Sequence, residues 1–306
     1  MCVSMISAKR SIRQLSIIAL CCLAWISACE RDEGETELIP TPVFPGAAPL
    51  AHRHRNHSMT ESPDGRLRIY VAQKGDVSDL MIMSRLADGE WGAPSVLDLP
   101  RRETNTSPRF FPDGTLYYSS DAPHPERPGR KDLNVWRVVE TDGRFSAPEV
   151  LPDSINTGSN EDGFAPLGEG RAVFSSTTLG GVGGYDLYIA RQDGNGWIVT
   201  PFAHNTAMAD SHAIATKDGA ALIWYAHMPA GAVYGSVDLF VSHWEGRRCS
   251  PPQNLGPAIN TTGIDYGAGL SANGETLFFS RDGVLLEVNL ETALSSAGLV
   301  TSHTDQ

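Results

Sequence analysis

The chain has 306 residues, of which 41% are hydrophobic and 20% charged, with 24 Lys and Arg against 36 Asp and Glu and a formal net charge of −12. This length is sufficient for a sizeable hydrophobic core. The acidic balance excludes a nucleic-acid-binding role and argues against adhesion to an anionic lipid surface, because both would repel the protein.

The first 28 residues have the pattern of an export signal. Lys9, Arg10 and Arg13 precede an apolar run, Leu15 to Trp25, that is too short for a comfortable transmembrane helix. The run leads into Ile-Ser-Ala before Cys29, which resembles a bacterial lipobox. We therefore expect cleavage after residue 28 and lipid attachment at Cys29. An ordinary signal peptide and a short membrane anchor are the alternatives.

Removal of this signal changes the cysteine and charge counts. The mature chain keeps Cys29 and Cys249, and 21 basic against 36 acidic residues give it a formal charge of −15. If Cys29 carries lipid, Cys249 is an unpaired thiol and no disulfide forms. An exported chain without disulfides has to be stabilised by its core.

Residues 29–50 read as a tether. An acidic run, Glu30 to Glu37, is followed by a proline-rich stretch through Pro49. Like charges and prolines favour an extended, solvated chain.

From residue 51 onward, two dipeptides recur at nearly constant spacing. An acidic or amide residue precedes Gly with steps of 49, 56, 49 and 55 residues, at Asp64-Gly65, Asp113-Gly114, Glu169-Gly170, Asp218-Gly219 and Asn273-Gly274. Asp-Leu recurs with steps of 53, 54 and 52 residues, at Asp79-Leu80, Asp132-Leu133, Asp186-Leu187 and Asp238-Leu239. Periods of this size indicate a repeat architecture in which each unit stacks on its neighbours.

The second repeat shows the pattern of one unit. It contains four short β-forming runs separated by turns: Asn105 to Phe111, Thr115 to Ser120, Asp132 to Trp136 and a segment beginning at Phe145. Four such strands make an antiparallel sheet of propeller-blade size. The sequence therefore predicts an all-β protein, a five-bladed β-propeller over residues 51–294, followed by a C-terminal tail at 295–306. Six blades are the alternative.

The fifth repeat lacks a fourth strand. Leu38 to Leu50, within the predicted tether, has the Pro and Leu spacing of an outer strand. A terminal segment that completed the last blade would close the ring and cover an exposed sheet edge.

Two stretches resemble a known family. The WD40-like β-propeller repeat of TolB-type proteins is similar to Gly180 to Tyr188 and to Leu255 to Asn260. The second stretch leads into Asp265-Tyr266-Gly267. The family also occurs in bacterial envelope lipoproteins. The resemblance covers roughly residues 55 to 290 and implies a propeller with a binding role in the cell envelope.

Strand polarity predicts two different faces. In an antiparallel blade, the first-to-second and third-to-fourth turns lie on one face, and these turns are all short here, so we call it the trimmed face. The second-to-third loops and the links between blades lie on the other. This elaborated face carries long loops at Asp121–Lys131, Thr177–Tyr185 and Ala226–Val237. Long loops on a rigid scaffold commonly bind ligands.

One register of polar residues marks the elaborated face. A carboxylate or carboxamide stands eight residues before the acidic or amide residue of each turn, at Asn56, Asn105, Glu161, Asp210 and Asp265. Asp162 lies one position after Glu161, and His212 lies two positions after Asp210. We expect these seven residues at the mouth of the axial channel, where they could recognise an amine or a sugar hydroxyl. Glu161, Asp210 and Asp265 could also bind a structural cation such as calcium. The alternative is that the register residues cap their own turns.

The sequence contains no Gly-x-Ser-x-Gly elbow, His-Glu-x-x-His helix or phosphate-binding glycine loop. We therefore expect a non-enzymatic module, tethered by lipid in the bacterial envelope, that binds a protein or an envelope glycan. Because residue 30 is Glu rather than Asp, the periplasmic side of the outer membrane is favoured over the inner membrane. The alternative is a glycan-active hydrolase or lyase with Glu161, Asp210 and Asp265 in an acidic funnel. No other cofactor is expected.

Overall fold

Short β-forming runs between tight turns fold as antiparallel strands in every repeat. The computed structural model describes residues 38–44, 54–141, 143–168, 170–177, 180–194, 196–229, 234–245 and 248–299. The predicted signal, Cys29 and residues 300–306 of the tail lie outside these ranges.

The described residues contain 22 strands and one helix. In chain order they are β1 (Thr41–Pro42), β2 (His54–Glu61), β3 (Leu67–Lys74), β4 (Val77–Ser84), β5 (Ser95–Val96), β6 (Asn105–Phe110), β7 (Thr115–Ser120), β8 (Asn134–Thr141), β9 (Arg144–Phe145), β10 (Glu149–Val150), β11 (Glu161–Gly168), β12 (Arg171–Ser176), β13 (Asp186–Asp193), β14 (Gly196–Pro201), β15 (Asp210–Ala215), β16 (Ala221–His227), β17 (Val237–Glu245), β18 (Arg248–Cys249), β19 (Gln253–Asn254), β20 (Asp265–Leu270), β21 (Thr276–Arg281), β22 (Val284–Asn289) and α1 (Leu290–Ser296).

These strands form five antiparallel sheets, one for each repeat. Blades 1 to 4 are β2–β5, β6–β10, β11–β14 and β15–β19, and each begins with its innermost strand. Blade 5 has the order β1-β22-β21-β20. The inner strands contact one another in a ring, from β2 to β6, β11, β15, β20 and back to β2. The predicted five-bladed propeller is confirmed.

Apolar side chains fill the five spaces between blades. For example, Ile69 and Leu80 of blade 1 pack with Leu116 and Trp136 of blade 2. Equivalent clusters lie between blades 2 and 3, 3 and 4, 4 and 5, and 5 and 1. Each blade buries both sheet faces against its neighbours, which explains why every second strand has a buried apolar centre.

The last blade obtains its outer strand from the N-terminal side of the chain. Thr41 and Pro42 pair with Glu287 and Leu286 of β22, and the backbone N–H of Val43 donates to the carbonyl of Leu285 at 3.1 Å. Phe44 continues to blade 1, where its ring centroid lies 5.3 Å from that of Tyr70. Residues 38–44 therefore bridge blades 5 and 1.

Helix α1 follows β22 and was not predicted from the sequence. Asn289 caps it, because its side-chain oxygen accepts a hydrogen bond from the Thr292 N–H at 2.9 Å. Ala293 and Leu294 pack into the apolar cluster between blades 4 and 5. Within the described ranges no helix is long and apolar enough to cross a membrane.

The closing strand provides a stability test. We expect Val43→Asp to lower the free energy of unfolding by about 1–3 kcal/mol, because it puts a charge into the cluster between blades 5 and 1. The control is Ile39→Asp, the same change at a side chain that is 70% exposed, which should stay within about 0.5 kcal/mol. Equal losses in urea unfolding would show that the segment does not fasten the ring.

Candidate functional site

The three register carboxylates are bonded to the chain segments that precede them. Glu161, Asp210 and Asp265 each accept a hydrogen bond from the hydroxyl of a Thr four residues earlier, at 2.6, 2.9 and 3.0 Å. Each also bonds the second strand of its own blade, through the Ser176 hydroxyl, the Trp224 indole N–H and the Arg281 guanidinium at 3.1, 3.2 and 2.8 Å. All three carboxylate residues are 0% exposed.

The three carboxylates consequently do not converge on the axis. In the part of the chain that the structure describes, no group of three or more His, Cys, Asp or Glu side chains could hold a metal ion. The two Asn residues of the register make different contacts. Asn105 donates from its side chain to the Leu99 carbonyl at 3.3 Å, whereas Asn56 donates from its backbone N–H to the Gly283 carbonyl of blade 5 at 2.9 Å.

An asparagine directly before each of these threonines joins neighbouring blades. The side chains of Asn156, Asn205 and Asn260 accept from the backbone N–H, and donate to the carbonyl, of Val135, Leu187 and Leu239 in the third strand of the preceding blade. The distances are 2.7–3.0 Å. The sequence reading missed this role, although the recurrence of Asn-Thr at steps of 49 and 55 residues marks it.

Every inner strand carries a bulge at the same position, two residues after its register residue. The bulge residues have positive φ, with values of 54, 50, 68, 52 and 66° at Ser58, Ser107, Gly163, His212 and Gly267. The strand pairing shifts register at each of them. Three of the five keep a side chain, and these three side chains meet at the hub.

The hub contains a buried polar group that we call the axial cluster, formed by His57, Ser58, Ser107, Asp162 and His212. The Nε2 atom of His212 lies 2.9 Å from Oδ2 of Asp162 and 3.1 Å from the Ser107 hydroxyl. Its Nδ1 lies 3.5 Å from the Ser58 hydroxyl, which lies 2.9 Å from Nδ1 of His57. The structure thus brings together two of the seven predicted site residues, Asp162 and His212.

Burial and charge determine the ionisation of the cluster. Burial alone would raise the pKa of Asp162, but the charge and hydrogen bond of His212 outweigh it and hold that pKa below its usual range. Burial lowers the pKa of His57 to about 3, and repulsion from His212 contributes. Asp162 is therefore an anion and His57 neutral at physiological pH.

The order Ser58, His212, Asp162 places a hydroxyl and a carboxylate on opposite imidazole nitrogens, as in a hydrolytic triad. Ser58 is 0% exposed, however, so a substrate does not reach its hydroxyl in this conformation. The arrangement fills the hub with hydrogen-bonded polar side chains.

Aromatic rings surround the cluster. The rings of Tyr225 and Tyr266 lie 5.1 Å from His212 and 5.3 Å from His57, and 6.2 Å from each other. Tyr185, from the loop between β12 and β13, is half-buried; burial raises the pKa of its hydroxyl, and the charge of Asp162 raises it further. The elaborated end of the axis therefore offers ring faces and hydroxyls over a fixed polar floor.

Comparison with known proteins shows the fold. No protein-family model matches the chain, and no curated protein matches it. A thermostable family-43 glycoside hydrolase is similar with a TM-score of 0.54 and 10% identity, over 83% of this chain and 91% of that one. A glycosyl hydrolase from Bacteroides ovatus has a TM-score of 0.50 and 10% identity, over 85% and 92%.

TolB-type propellers are also among the structural neighbours. TolB from Acinetobacter baumannii has a TM-score of 0.48 and 13% identity, over 79% of this chain. The present chain spans 56% of that protein's length.

Glu161 provides a test of the capping geometry. Burial, opposed by hydrogen bonds from Thr157 and Ser176, raises its pKa from 4.5 to about 7. Between these values the folded protein keeps a proton that the unfolded chain releases, so rising pH lowers the free energy of unfolding. Glu161→Gln removes this loss, and the variant should therefore gain stability relative to wild type as pH rises from 4.5 to 7. A stability difference that stays constant in urea unfolding across this range would contradict the assignment.

Proposed function

We propose that this chain is a lipid-anchored envelope protein whose propeller is a non-enzymatic binding module for a protein or an envelope glycan. The observation that carries the proposal is the complete burial of Glu161, Asp210 and Asp265. Each of these carboxyl groups uses one oxygen to accept from the Thr that precedes its inner strand, so it is oriented toward the chain and not toward a substrate.

Carboxylate-based glycoside hydrolysis needs two carboxyl groups that flank the scissile bond, roughly 5–9.5 Å apart. Of the candidate carboxylates, only Asp162 reaches the axial cluster, and it is bonded to His212 at 2.9 Å. A single carboxylate that is hydrogen-bonded in this way supplies neither the acid nor the second carboxylate. The axis is therefore better suited to recognition than to bond cleavage.

The elaborated end has the surface that recognition needs. Half-buried Tyr185 and Tyr225 present ring faces beside polar atoms, a combination suited to sugar rings and to protein side chains. The long loops of blades 2, 3 and 4 extend this surface, whereas blades 1 and 5 have only two residues between their second and third strands. The proposed binding surface therefore lies mainly on blades 2 to 4.

The lipid anchor and the periplasmic side of the outer membrane belong to the same proposal. Their support is the lipobox-like stretch before Cys29 and the acidic charge of the mature chain. An acidic body gains little from anionic lipids, so a lipid at the N-terminus would provide the attachment.

Recognition at the elaborated end can be tested with one side chain. We expect Tyr185→Ala to weaken binding to the envelope protein or polysaccharide that wild type retains from envelope extract. The loss should be at least about fivefold, since an aromatic anchor typically contributes more than 1 kcal/mol. The matched control is Leu86→Ala, an apolar truncation at a half-exposed site on the trimmed face, which should bind like wild type. Binding would be measured by surface plasmon resonance with fractions of envelope extract.

Absence of turnover is the second part of that experiment. A screen with aryl glycosides and polysaccharides should give no product above background. Turnover by wild type that is lost in Glu161→Gln and Asp210→Asn would contradict the binding proposal and identify a hydrolase.

The anchor has its own test, which uses the two cysteines of the mature chain. We expect wild type and Cys249→Ser to incorporate a labelled fatty acid and to sediment with membranes. Cys29→Ser should lose both properties, because its side chain cannot form the thioether to lipid. Labelled Cys29→Ser protein in the membrane fraction would show that residue 29 is not the attachment point.

A further inference from the structure

The trimmed face contains a cavity that the sequence reading does not anticipate. It has a volume of about 380 Å³ and is lined by the carboxyl ends of the inner strands and the turns that follow them, in all five blades. It therefore lies on the propeller axis, at the opposite end from Tyr185. A volume in this range is typical of small-molecule sites, roughly 300–1,000 Å³.

A buried arginine lies at the wall of this cavity. Arg109, on β6, is 3% exposed and lines the cavity. Its Nη1 and Nη2 donate to the carbonyls of Pro108 and Ala268 at 2.8 and 2.9 Å, and its Nε finds no acceptor among the described residues. A guanidinium has five N–H groups. Donor capacity therefore remains after these two bonds are made.

Arg109 also forms no ion pair with a described carboxylate. The buried anion that influences it is Asp162, whose charge raises the pKa of Arg109 against the stronger effect of burial, which lowers it to about 10. Asp162 is itself bonded to His212. A cation that is buried without a contacting anion is costly, and an anionic ligand would remove that cost.

The two carboxylates that line the cavity are engaged by neighbours. Glu61 forms an ion pair with Arg68 at 2.7 Å, and Asp218 accepts from the Thr216 hydroxyl at 2.6 Å. Arg171 and Lys217 add two cations to the lining, so cationic groups outnumber anionic ones by three to two. The remaining wall is largely apolar, with Phe110, Pro166, Leu167, Ile214 and Leu270.

We propose that this cavity, which we call the Arg109 cavity, binds a small organic carboxylate, with the guanidinium as its anchor and the apolar wall against its hydrocarbon body. The planar guanidinium fork matches a carboxylate, which can accept two of its N–H groups. Inorganic phosphate lacks an apolar body and gains nothing from the wall. This site is separate from the binding surface proposed for the elaborated face.

The first test compares matched ligands by titration calorimetry on the full mature protein. Hexanoate should bind with a stoichiometry of one and an affinity on the order of 0.1–1 mM, as for small ligands of this size. Hexan-1-ol, which keeps the apolar body and lacks the charge, should bind at least about tenfold more weakly, and inorganic phosphate should not bind. Acetyl-leucine, a carboxylate on a peptide unit, distinguishes a peptide terminus from a fatty acid as the natural source.

The second test changes the cavity. Arg109→Met should weaken hexanoate binding at least about tenfold, while Arg85→Met, on an exposed arginine outside the cavity, should leave it unchanged. Ala215→Phe fills the cavity without removing a charge and should abolish binding even if Arg109→Met does not fold. Tyr185→Ala should have no effect, which separates this site from the elaborated face.

The proposal is overturned if hexanoate and acetyl-leucine both fail to bind, if hexan-1-ol binds as well as hexanoate, or if folded Ala215→Phe binds like wild type. It holds if either carboxylate binds, if removing the charge of the ligand or of Arg109 weakens binding, and if filling the cavity with Ala215→Phe abolishes it.

Discussion

Five inner strands meet at one axis, and the lack of room there determines what each strand can carry. Every strand accommodates the crowding with a bulge at the same position, and the residue there has positive φ. At two of the five bulges the neighbour leaves little room for a side chain: a Cβ at Gly163 would lie 3.3 Å from Cα of His212, and one at Gly267 would lie 3.0 Å from the Ser58 nitrogen. The other three bulges keep their side chains, and these fill the hub with the polar atoms of Ser58, Ser107 and His212.

A filled hub gives the axis two independent ends. On the elaborated side, the tyrosines lie over a floor whose single anion, Asp162, is already bonded to His212. On the trimmed side, Arg109 feels the charge of Asp162 without contacting it. Because Asp162 bonds His212 through Oδ2 and forms no ion pair with Arg109, the positive charge of Arg109 lines the trimmed end without a contacting carboxylate among the described residues. The two ends therefore differ in chemistry because Asp162 bonds His212 and not Arg109.

The blade count could be predicted from the sequence because Asp-Gly turns and β-forming runs are local signals. The sequence also placed Glu161, Asp210 and Asp265 at equivalent positions, yet it could not fix where their side chains point. Successive side chains on a strand face opposite ways, so Glu161 bonds to Thr157 and Ser176 while Asp162 faces the hub. Arg109 could not be recognised at all, because the carbonyl that its Nη2 bonds belongs to Ala268, 159 residues away.

The asparagines that fasten the ring lie a few residues before the carboxylates that looked functional in the sequence. Asn156, Asn205 and Asn260 join blades 2 to 3, 3 to 4 and 4 to 5. Blades 1 and 2 use a different device, in which Ser78 of β4 donates from its backbone N–H to the Glu103 carbonyl at 2.9 Å and from its hydroxyl to the Asn105 carbonyl at 3.0 Å. The junction of blades 5 and 1 also involves residues 41–44, which come from the N-terminal side of the chain. The bonds that stabilise the ring lie between neighbouring blades. The two ends of the axis can therefore differ in chemistry without weakening the ring.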